Sequence, residues 1–520
     1  MQLIGSYINL GLGNGLTLTP TVSIITSSTS VTLSWSSVPG ANFYDIWYTL
    51  GSVRTFASTV SGNSFVVTGL NTSAQYTFEV FAKNAAGKIV AYTGAASSPT
   101  TPLARAWVGR NLAMQGSVNS IGTLTNAFAG STMSAMTNAL GFINKESWPI
   151  KSVRLLYATG YGTSGAAIQS ARVATMGSGT VQVPQYGWSQ VTFNSATSWT
   201  PPIGSYDNYN LNAIVSDEIT LIPSCPAGNS VIMWNAATGG SALNVQWPGE
   251  NKNNYLPSVY MAGNFCGGDY ASVGTSGTPT WTNQNLGGPV ALLLCTYETS
   301  AGAPPLVNII AGGDSVWAGV PPIVSGSQTY GDHWCEVVNN IARTNGKKFR
   351  ITSVGQGGDT MSQTNTRISS LSAGGFFSFC DKVIVQGWSW NDRDDSDNTT
   401  MQNALTSDKS IITGSGRAFG VGILSPMGQS ETTSAVPLDF TTQQQLIYNN
   451  QVSYISGFAP NSFWNVNSSI WDPIDHLRHL SANSYDNVHC YIGAGIGQSL
   501  QASAVYSSEL INLPLQGYTI

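Results

Sequence analysis

The segment LVNIIAGGDS, residues 306–315, decides the fold of the C-terminal part of the chain. Its first six residues form a short apolar run typical of a buried strand, and two glycines then turn the chain. Similar apolar runs follow at residues 349–354, 382–386 and 418–424, and stretches with helical spacing lie at residues 330–344, 441–456 and 494–505. Strands that alternate with helices predict a three-layer α/β domain, in which helices cover both faces of a parallel sheet.

Four short motifs lie at or near the ends of these elements. They are Gly313-Asp314-Ser315, Gly357-Gly358-Asp359-Thr360, Trp390-Asn391-Asp392 and Asp486-x-x-His489. Ligands of such a sheet bind beyond the carboxyl ends of its strands, so we expect the motifs to form one site there.

The residue types in these motifs suit acyl transfer. A serine hydroxyl is a weak nucleophile, so Ser315 needs a histidine to accept its proton and a carboxylate to orient that histidine. Asp486 and His489, predicted to lie on one short loop, supply both groups. The backbone N–H groups of Ser315 and Gly358 and the side-chain amide of Asn391 are candidate donors to the oxyanion of the tetrahedral intermediate.

In this order, the four motifs resemble the blocks of the SGNH (GDSL-like) hydrolase family, over residues 306–510. The resemblance implies an esterase with Ser315 as nucleophile, Asp486 and His489 as the rest of the triad, and Ser315, Gly358 and Asn391 as the oxyanion hole. The third block departs from the family's Gly-x-Asn-Asp pattern, because two extra residues separate Gly387 from Asn391.

Each motif taken alone has a simpler structural explanation. Gly-Asp-Ser and Gly-Gly are common turn sequences, and an asparagine such as Asn391 often caps neighbouring backbone groups. Four motifs in the right order favour a catalytic site instead. The sequence has no Gly-x-Ser-x-Gly motif, which argues against an ordinary α/β-hydrolase.

The N-terminal region has a different pattern. Short runs such as VTLSW, residues 31–35, alternate apolar and polar side chains and are separated by turn residues. This alternation predicts an antiparallel β-sandwich. Trp35, and Leu70 six residues before Tyr76, resemble a fibronectin type III domain with its tyrosine corner, so we expect these aromatic side chains to lie in the core.

The chain is therefore predicted to have four parts. Residues 1–17 are an N-terminal arm, either a docking peptide or a disordered segment, and residues 18–103 are the fibronectin type III-like domain. Residues 104–305 predict a β-rich, jelly-roll-like accessory domain, similar to the β-domains that precede some SGNH hydrolases. We expect this domain to pack on the catalytic domain, residues 306–520, and to help shape its cleft.

The composition limits the partners and the location of the protein. Charged residues make up only 9% of the sequence, and glycine is abundant with 56 residues. Because the net charge is −5 and no run of Lys or Arg occurs, nucleic acid is not expected as a partner. No apolar stretch is long enough to predict a membrane span. An exterior-type composition and an N-terminus without a secretory signal pattern predict a virion component, such as a phage tail protein, or an extracellular protein.

No metal or cofactor is expected. The segment DHLRH, residues 475–479, lacks the matching carboxylate and histidine spacing of a metal site. Residues 392–397 lack the glycine and terminal glutamate of a calcium loop and are predicted to be a solvated acidic loop. The six cysteines are scattered without a C-x-x-C pair, which favours buried free thiols.

The predicted function follows from the motifs and the domains around them. Trp317, Trp388 and Trp390 lie beside the motifs, where they either border a sugar-sized cleft or pack in the core. With an adhesin-like sandwich in front, the sequence favours O-deacetylation of a bacterial cell-surface glycan. We expect this glycan as a partner, together with other tail proteins and, by analogy with tail fibres, a homotrimer. A glycan-binding tail protein without activity and a general carboxylesterase or lipase are the alternatives.

Overall fold

A computed structural model shows three groups of secondary-structure elements along the chain. The described residues are 23–26, 31–50, 53–70, 76–92, 104–109, 135–159, 167–176, 187–200, 212–238, 261–267, 282–283, 290–299, 306–314, 316–317, 334–356, 358–424, 442–459, 463–465 and 502–507. The predicted arm, residues 1–17, lies outside them.

The first group of strands forms two antiparallel sheets, with the orders β1-β2-β5 and β4-β3-β6-β7. The strands are β1 (Ser23–Thr26), β2 (Val31–Ser34), β3 (Phe43–Leu50), β4 (Val53–Val60), β5 (Ser64–Val67), β6 (Tyr76–Lys83) and β7 (Ile89–Tyr92). Buried and half-buried side chains alternate along β6, because successive strand residues point to opposite faces. Trp35, Leu70 and Tyr76 are buried in one core with residues of both sheets, which confirms the predicted sandwich core.

The second group forms two larger antiparallel sheets. One has the order β13-β10-β18-β8, with β14 also paired to β10, and the other has the order β12-β11-β15-β9-β16-β17. The strands are β8 (Ala104–Gly109), β9 (Ala135–Ile143), β10 (Ile150–Thr159), β11 (Ala167–Met176), β12 (Ser189–Gln190), β13 (Asn212–Val215), β14 (Ile219–Cys225), β15 (Ser230–Thr238), β16 (Met261–Gly267), β17 (Thr282–Asn283) and β18 (Val290–Tyr297). Leu155 and Leu293 from one sheet and Met233 from the other share one buried core, so this region is a second β-sandwich. The predicted β-rich character is confirmed.

The C-terminal group is an α/β domain with a five-stranded parallel sheet. Its strands are β19 (Val307–Gly312), β20 (Phe349–Ser353), β21 (Lys382–Gln386), β22 (Ala418–Ile423) and β23 (Phe463–Asn465). Its described helices are α1 (Trp334–Thr344), α2 (Met361–Ala373), α3 (Thr399–Gly414) and α4 (Thr442–Phe458), with 3-10 turns at Phe376–Phe379 and Trp390–Asp392 and a further helical segment at residues 502–507. The predicted parallel sheet is confirmed, and its first four strands coincide with the predicted apolar runs.

The strand order β20-β19-β21-β22-β23 creates a switch point between β19 and β21. From β19 the chain moves outward to β20, and it then crosses back to β21 on the other side of β19. Connections that leave in opposite directions open a crevice at the carboxyl ends of these two strands, where doubly wound α/β proteins bind their ligands. The first motif follows β19 directly, and the third motif begins four residues after β21 ends at Gln386.

The strand β18, with the sequence VALLLCTY, explains how the second sandwich meets the α/β domain. Leu293 and Cys295 face the sandwich core, whereas Leu292 and Leu294 belong to a second buried cluster with Trp107 and side chains of the α/β domain. A sheet that is buried on both faces needs apolar residues at consecutive positions. The accessory domain therefore packs on the α/β domain, as expected.

Polar contacts reinforce this packing along β20. Arg350 donates from Nε and Nη2 to the carboxylate of Glu146, each at 2.6 Å, and Arg343 Nη1 donates to the same carboxylate at 3.2 Å. Thr352 Oγ1 donates to the carbonyl oxygen of Trp107 at 2.6 Å. That the accessory domain also shapes the cleft stays a prediction.

Candidate active site

The turn after β19 is held by the carboxylate of Asp314. Asp314 is buried, and its Oδ1 accepts the backbone N–H of Val316 at 2.9 Å and that of Trp317 at 3.4 Å. Its own backbone N–H donates to Gln386 Oε1 at 2.8 Å, which joins the ends of β19 and β21. The residues on both sides of position 315 are thus fixed at the switch point.

Gly313 lets this turn pack closely. A Cβ atom at this position would lie 2.4 Å from Cγ of Trp317 and 2.9 Å from Gln386 Oε1, and both distances are too short for a real side chain. Ser353 Oγ and Trp334 Nε1 both donate to the Trp317 carbonyl oxygen, at 2.7 Å and 3.0 Å. Because Trp317 is held in this way, only glycine fits at position 313.

The second motif places Gly358 and Asp359 next to this turn. Gly358 is exposed and has a φ of 85°, a left-handed conformation that favours glycine. The buried Asp359 accepts two hydrogen bonds from the buried Arg367, from Nε at 3.0 Å and from Nη2 at 2.8 Å. Burial raises the pKa of Asp359 to about 6, against the lowering effect of the Arg367 charge. The ion pair anchors the backbone after Gly358 to α2.

The third motif and Ser389, which lies just before it, contact both of the other motifs. Ser389 Oγ donates to Asp314 Oδ2 at 2.6 Å and lies 3.0 Å from the carbonyl oxygen of Asp359. Asn391, which is half-buried, donates its side-chain amide to the same carbonyl oxygen at 2.9 Å. Three of the four motifs therefore meet beyond the carboxyl ends of β19 and β21.

The structure corrects the prediction of a solvated acidic loop at residues 392–397 for one residue only, Asp392, because most of the segment after it is exposed. Asp392 is 2% exposed, and its Oδ2 accepts the backbone N–H of Met361 at 2.9 Å. Met361 begins α2, and a carboxylate there satisfies an N–H that has no partner within the helix. Burial raises the pKa of Asp392 to about 7, although the Met361 hydrogen bond lowers it, and the charge of Asp395 raises it further. Asp392 is thus a structural cap of α2.

The structure decides between the two alternatives for two of the three tryptophans. Trp317 and Trp388 are fully buried, and Trp388 packs edge-on against Tyr448 with ring centres 5.2 Å apart. Their burial places both indoles in the core and not at the border of a cleft. Trp390 is half-buried, and the guanidinium of Arg393 lies 4.8 Å from its ring centre.

Ser315, Asp486 and His489 lie outside the described residues, and so does Gly357. Their roles as nucleophile, carboxylate and general base stay predictions from the sequence. The oxyanion roles of Gly358 and Asn391 also stay predictions.

Comparison with known protein families identifies the N-terminal sandwich. Residues 19–98 match the fibronectin type III domain family. The resemblance predicted for this region is therefore confirmed. No curated protein sequence matches the chain.

Several solved structures are similar to the chain at low sequence identity. A psychrotrophic esterase from a Pseudoalteromonas species is 15% identical over 38% of this chain and 94% of that protein, with a TM-score of 0.29. A GDSL-like lipase from Bacteroides thetaiotaomicron is 13% identical over 39% of this chain and 86% of that protein, with a TM-score of 0.27. A Bacillus subtilis protein is 10% identical over 71% of this chain and 79% of its own length, with a TM-score of 0.27. We therefore assign the site from the contacts within this chain and not from these similarities.

Three further observations concern metals, membranes and thiols. Within the described ranges, no three His, Cys, Asp or Glu side chains are grouped as metal ligands would be. No helix in that part of the chain is both long and apolar enough to cross a bilayer. Cys225, Cys295, Cys335 and Cys380 are buried free thiols, as predicted for these four residues.

Sequence reasoning missed the side chains that tie the motifs together. Thr360 and Gln363 form a capping box at the start of α2, a signal that is readable from the sequence alone. That signal would have placed Arg367 two turns into a helix, within reach of Asp359. No comparable signal marks Ser389, whose contact with Asp314 joins residues far apart in the chain.

We expect Gly358→Ala to reduce activity more than stability. A left-handed φ costs alanine about 1–2 kcal/mol, and relief of this strain would tilt the backbone N–H of Gly358. Misplacement of a reacting group by about 1 Å can cost 100-fold in rate. Among the described residues, no atom lies within 4 Å of a Cβ added at Gly358.

Gly346→Ala is the matched control, because Gly346 has a φ of 67° and equally open surroundings. It precedes β20, so it lies at the opposite end of the sheet from the site. Both variants should lose similar thermal stability, while turnover of p-nitrophenyl acetate should fall only for Gly358→Ala. Equal turnover in the two variants would exclude Gly358 from the site.

Proposed function

We propose that the chain is a serine ester hydrolase that removes O-acetyl or other short acyl groups from a bacterial cell-surface polysaccharide. One observation carries the proposal. The hydrogen bonds among Asp314, Asp359, Ser389 and Asn391 gather three of the four motifs at the switch point of a parallel sheet. This is the place where such a sheet binds its ligands.

The proposed mechanism has two halves. In the first, His489 accepts the proton of Ser315 while the hydroxyl oxygen attacks the acetyl carbonyl, and Asp486 orients His489. The sugar oxygen then leaves with the proton from His489, so Ser315 carries the acetyl group. In the second half, His489 removes a proton from water, the hydroxide attacks the acetyl group, and acetate leaves as Ser315 regains its proton. No cofactor is needed.

The network around the turn supports the oxyanion part of this mechanism. The backbone N–H groups of Ser315 and Gly358 and the amide of Asn391 are the proposed donors to the oxyanion. Such donors accelerate a reaction when they are fixed before the charge develops. Asp314 and Ser389 are buried and hydrogen-bonded to each other, so the framework around the donors does not need to reorganise.

A glycan is the proposed substrate because of the surface beside Asn391. Trp390 is half-buried, and Arg393 and exposed carboxylates such as that of Asp394 follow it. An aromatic ring beside polar and charged groups suits the flat apolar face and the hydroxyls of a sugar ring. The polar composition and the fibronectin type III domain support a location in a phage tail or outside the cell. Other tail proteins and two further copies of the chain are the proposed partners.

Acetate release tests this proposal directly. The purified protein is incubated with a panel of O-acetylated bacterial polysaccharides, and each polysaccharide after chemical deacetylation is the control. We expect acetate from at least one member of the panel, and turnover of p-nitrophenyl esters that falls sharply beyond short acyl chains. A protein that binds the glycans but hydrolyses no ester would be a tail adhesin, and a preference for long acyl chains would indicate a lipase.

A further inference from the structure

We infer that Ser389 is a positioning residue that couples the turn around the nucleophile to the oxyanion donor Asn391. The inference rests on the proposed function, because it assigns Ser389 a task in the same site. Ser389 belongs to none of the four motifs. It lies in the stretch between Gly387 and Asn391 where the chain has two residues more than the Gly-x-Asn-Asp pattern.

The hydroxyl of Ser389 uses its full hydrogen-bonding capacity. Its proton goes to Asp314 Oδ2 at 2.6 Å, and its oxygen accepts the backbone N–H of Asn391 at 3.1 Å and the side-chain Nδ2 of Asn391 at 3.2 Å. A hydroxyl has one proton to donate and two lone pairs to accept with. Ser389 is also fully buried. It therefore connects its neighbours and has no free capacity for a substrate.

The direction of these bonds sets the orientation of the Asn391 amide. A hydrogen bond of 2.6 Å to a carboxylate is charge-assisted, so the Ser389 proton stays with Asp314 in preference to the Asp359 carbonyl oxygen 3.0 Å away. The Ser389 oxygen then faces Asn391 as an acceptor. As a result Asn391 turns its NH₂ group, and not its carbonyl oxygen, toward this region.

The two hydrogens of that NH₂ group are held unequally. The bond to the Asp359 carbonyl oxygen is 2.9 Å long, whereas Ser389 Oγ is 3.2 Å away. Both hydrogens therefore have acceptors within the protein, and the contact with Ser389 is the longer one. In the inferred role, this contact holds the Asn391 amide in place beside the nucleophile turn.

The same hydroxyl acts on the nucleophile side. The other oxygen of Asp314 accepts the backbone N–H groups of Val316 and Trp317, so a shift of this carboxylate would move the backbone on the C-terminal side of Ser315. Ser389 thus fixes the distance between the nucleophile turn and the oxyanion donor. Loss of its hydroxyl should affect the chemical step while leaving substrate binding largely unchanged.

A double-mutant cycle with Ser389→Ala and Asn391→Ala tests the inference with p-nitrophenyl acetate. We expect Asn391→Ala to lower kcat about 100-fold to 1000-fold, as for the loss of one oxyanion donor. Ser389→Ala should lower kcat about 10-fold to 100-fold with little change in KM. In the Asn391→Ala background the second substitution should have less effect, because one of the two groups that Ser389 positions is gone and only its bond to Asp314 remains. Ser369→Ala, an exposed serine on α2, is the control and should leave kcat unchanged.

Several outcomes would overturn the inference. A kcat of Ser389→Ala equal to that of the wild type would overturn it. A double variant whose loss of kcat equals the product of the two single losses would overturn it as well. If Ser389→Ala does not fold, Ser389→Cys keeps almost the same shape with a weak donor, and full kcat in that variant would be equally decisive. A wild-type protein without any ester hydrolysis would refute the proposed function and the inference together, whereas an active wild type with an active Ser389→Ala refutes the inference alone.

Discussion

Ser315→Ala is expected to lower ester hydrolysis by roughly 10⁴-fold to 10⁶-fold, the largest change in activity among the variants considered. The substitution removes one oxygen atom, and without it no acyl-enzyme can form. The oxyanion donors would remain, so a small residual rate above that of free solution is expected. The measurement is acetate release from the best polysaccharide of the panel, together with turnover of p-nitrophenyl acetate.

The control for Ser315→Ala is again Ser369→Ala, which removes the same atom from the surface of α2. Thermal unfolding of both variants should match that of the wild type. If folded Ser315→Ala keeps the turnover of the wild type, Ser315 is not the nucleophile. The proposed roles of Asp486 and His489 would then fail as well. Retained glycan binding in an inactive Ser315→Ala would separate recognition from chemistry.

The parallel sheet was predictable because its strands are buried on both faces. Such strands must be apolar at consecutive positions, as in β19 and β21, and the runs at residues 306–311 and 382–386 show this directly in the sequence. The same rule explains β18, where burial against the α/β domain removes the alternation that a half-exposed strand would have. Motif order then predicted a site at the ends of these strands.

The contacts within the site could not be predicted in the same way. Asp314 and Ser389 meet only because the sheet order brings β19 beside β21, and no local pattern encodes that pairing. Burial of Trp317 and Trp388 likewise depends on which side of each turn faces the core. Asp392 lies in a run of acidic residues typical of a solvated loop, yet the nearby start of α2 provides a buried N–H for it. Local sequence predicts the elements, whereas the polar contacts between elements depend on their packing.

Glu146→Ala is expected to cause the largest loss of stability, about 3–5 kcal/mol, as for removal of one partner from a buried ion pair. Arg350 is only 4% exposed, and its Nε and Nη2 both donate to Glu146. Without that carboxylate, a buried positive charge between the accessory and α/β domains would lose its principal partner. Chemical denaturation of the variant measures the effect. Glu298→Ala is the control, because Glu298 is exposed and such a surface substitution should change stability by no more than about 0.5 kcal/mol.

The pH dependence of the Glu146→Ala effect gives a second measurement of the same ion pair. Burial alone would raise the pKa of Glu146, but the hydrogen bonds and charges of Arg350 and Arg343 bring it below its ordinary value of 4.5. A carboxylate with a lowered pKa contributes its stabilisation above the pKa of the unfolded chain and loses it as pH falls through the folded-state pKa. The stability difference between wild type and Glu146→Ala should therefore be largest near neutral pH and shrink in acid. A difference that stays constant with pH, or that is no larger than for Glu298→Ala, would show that the ion pair does not hold the two domains together.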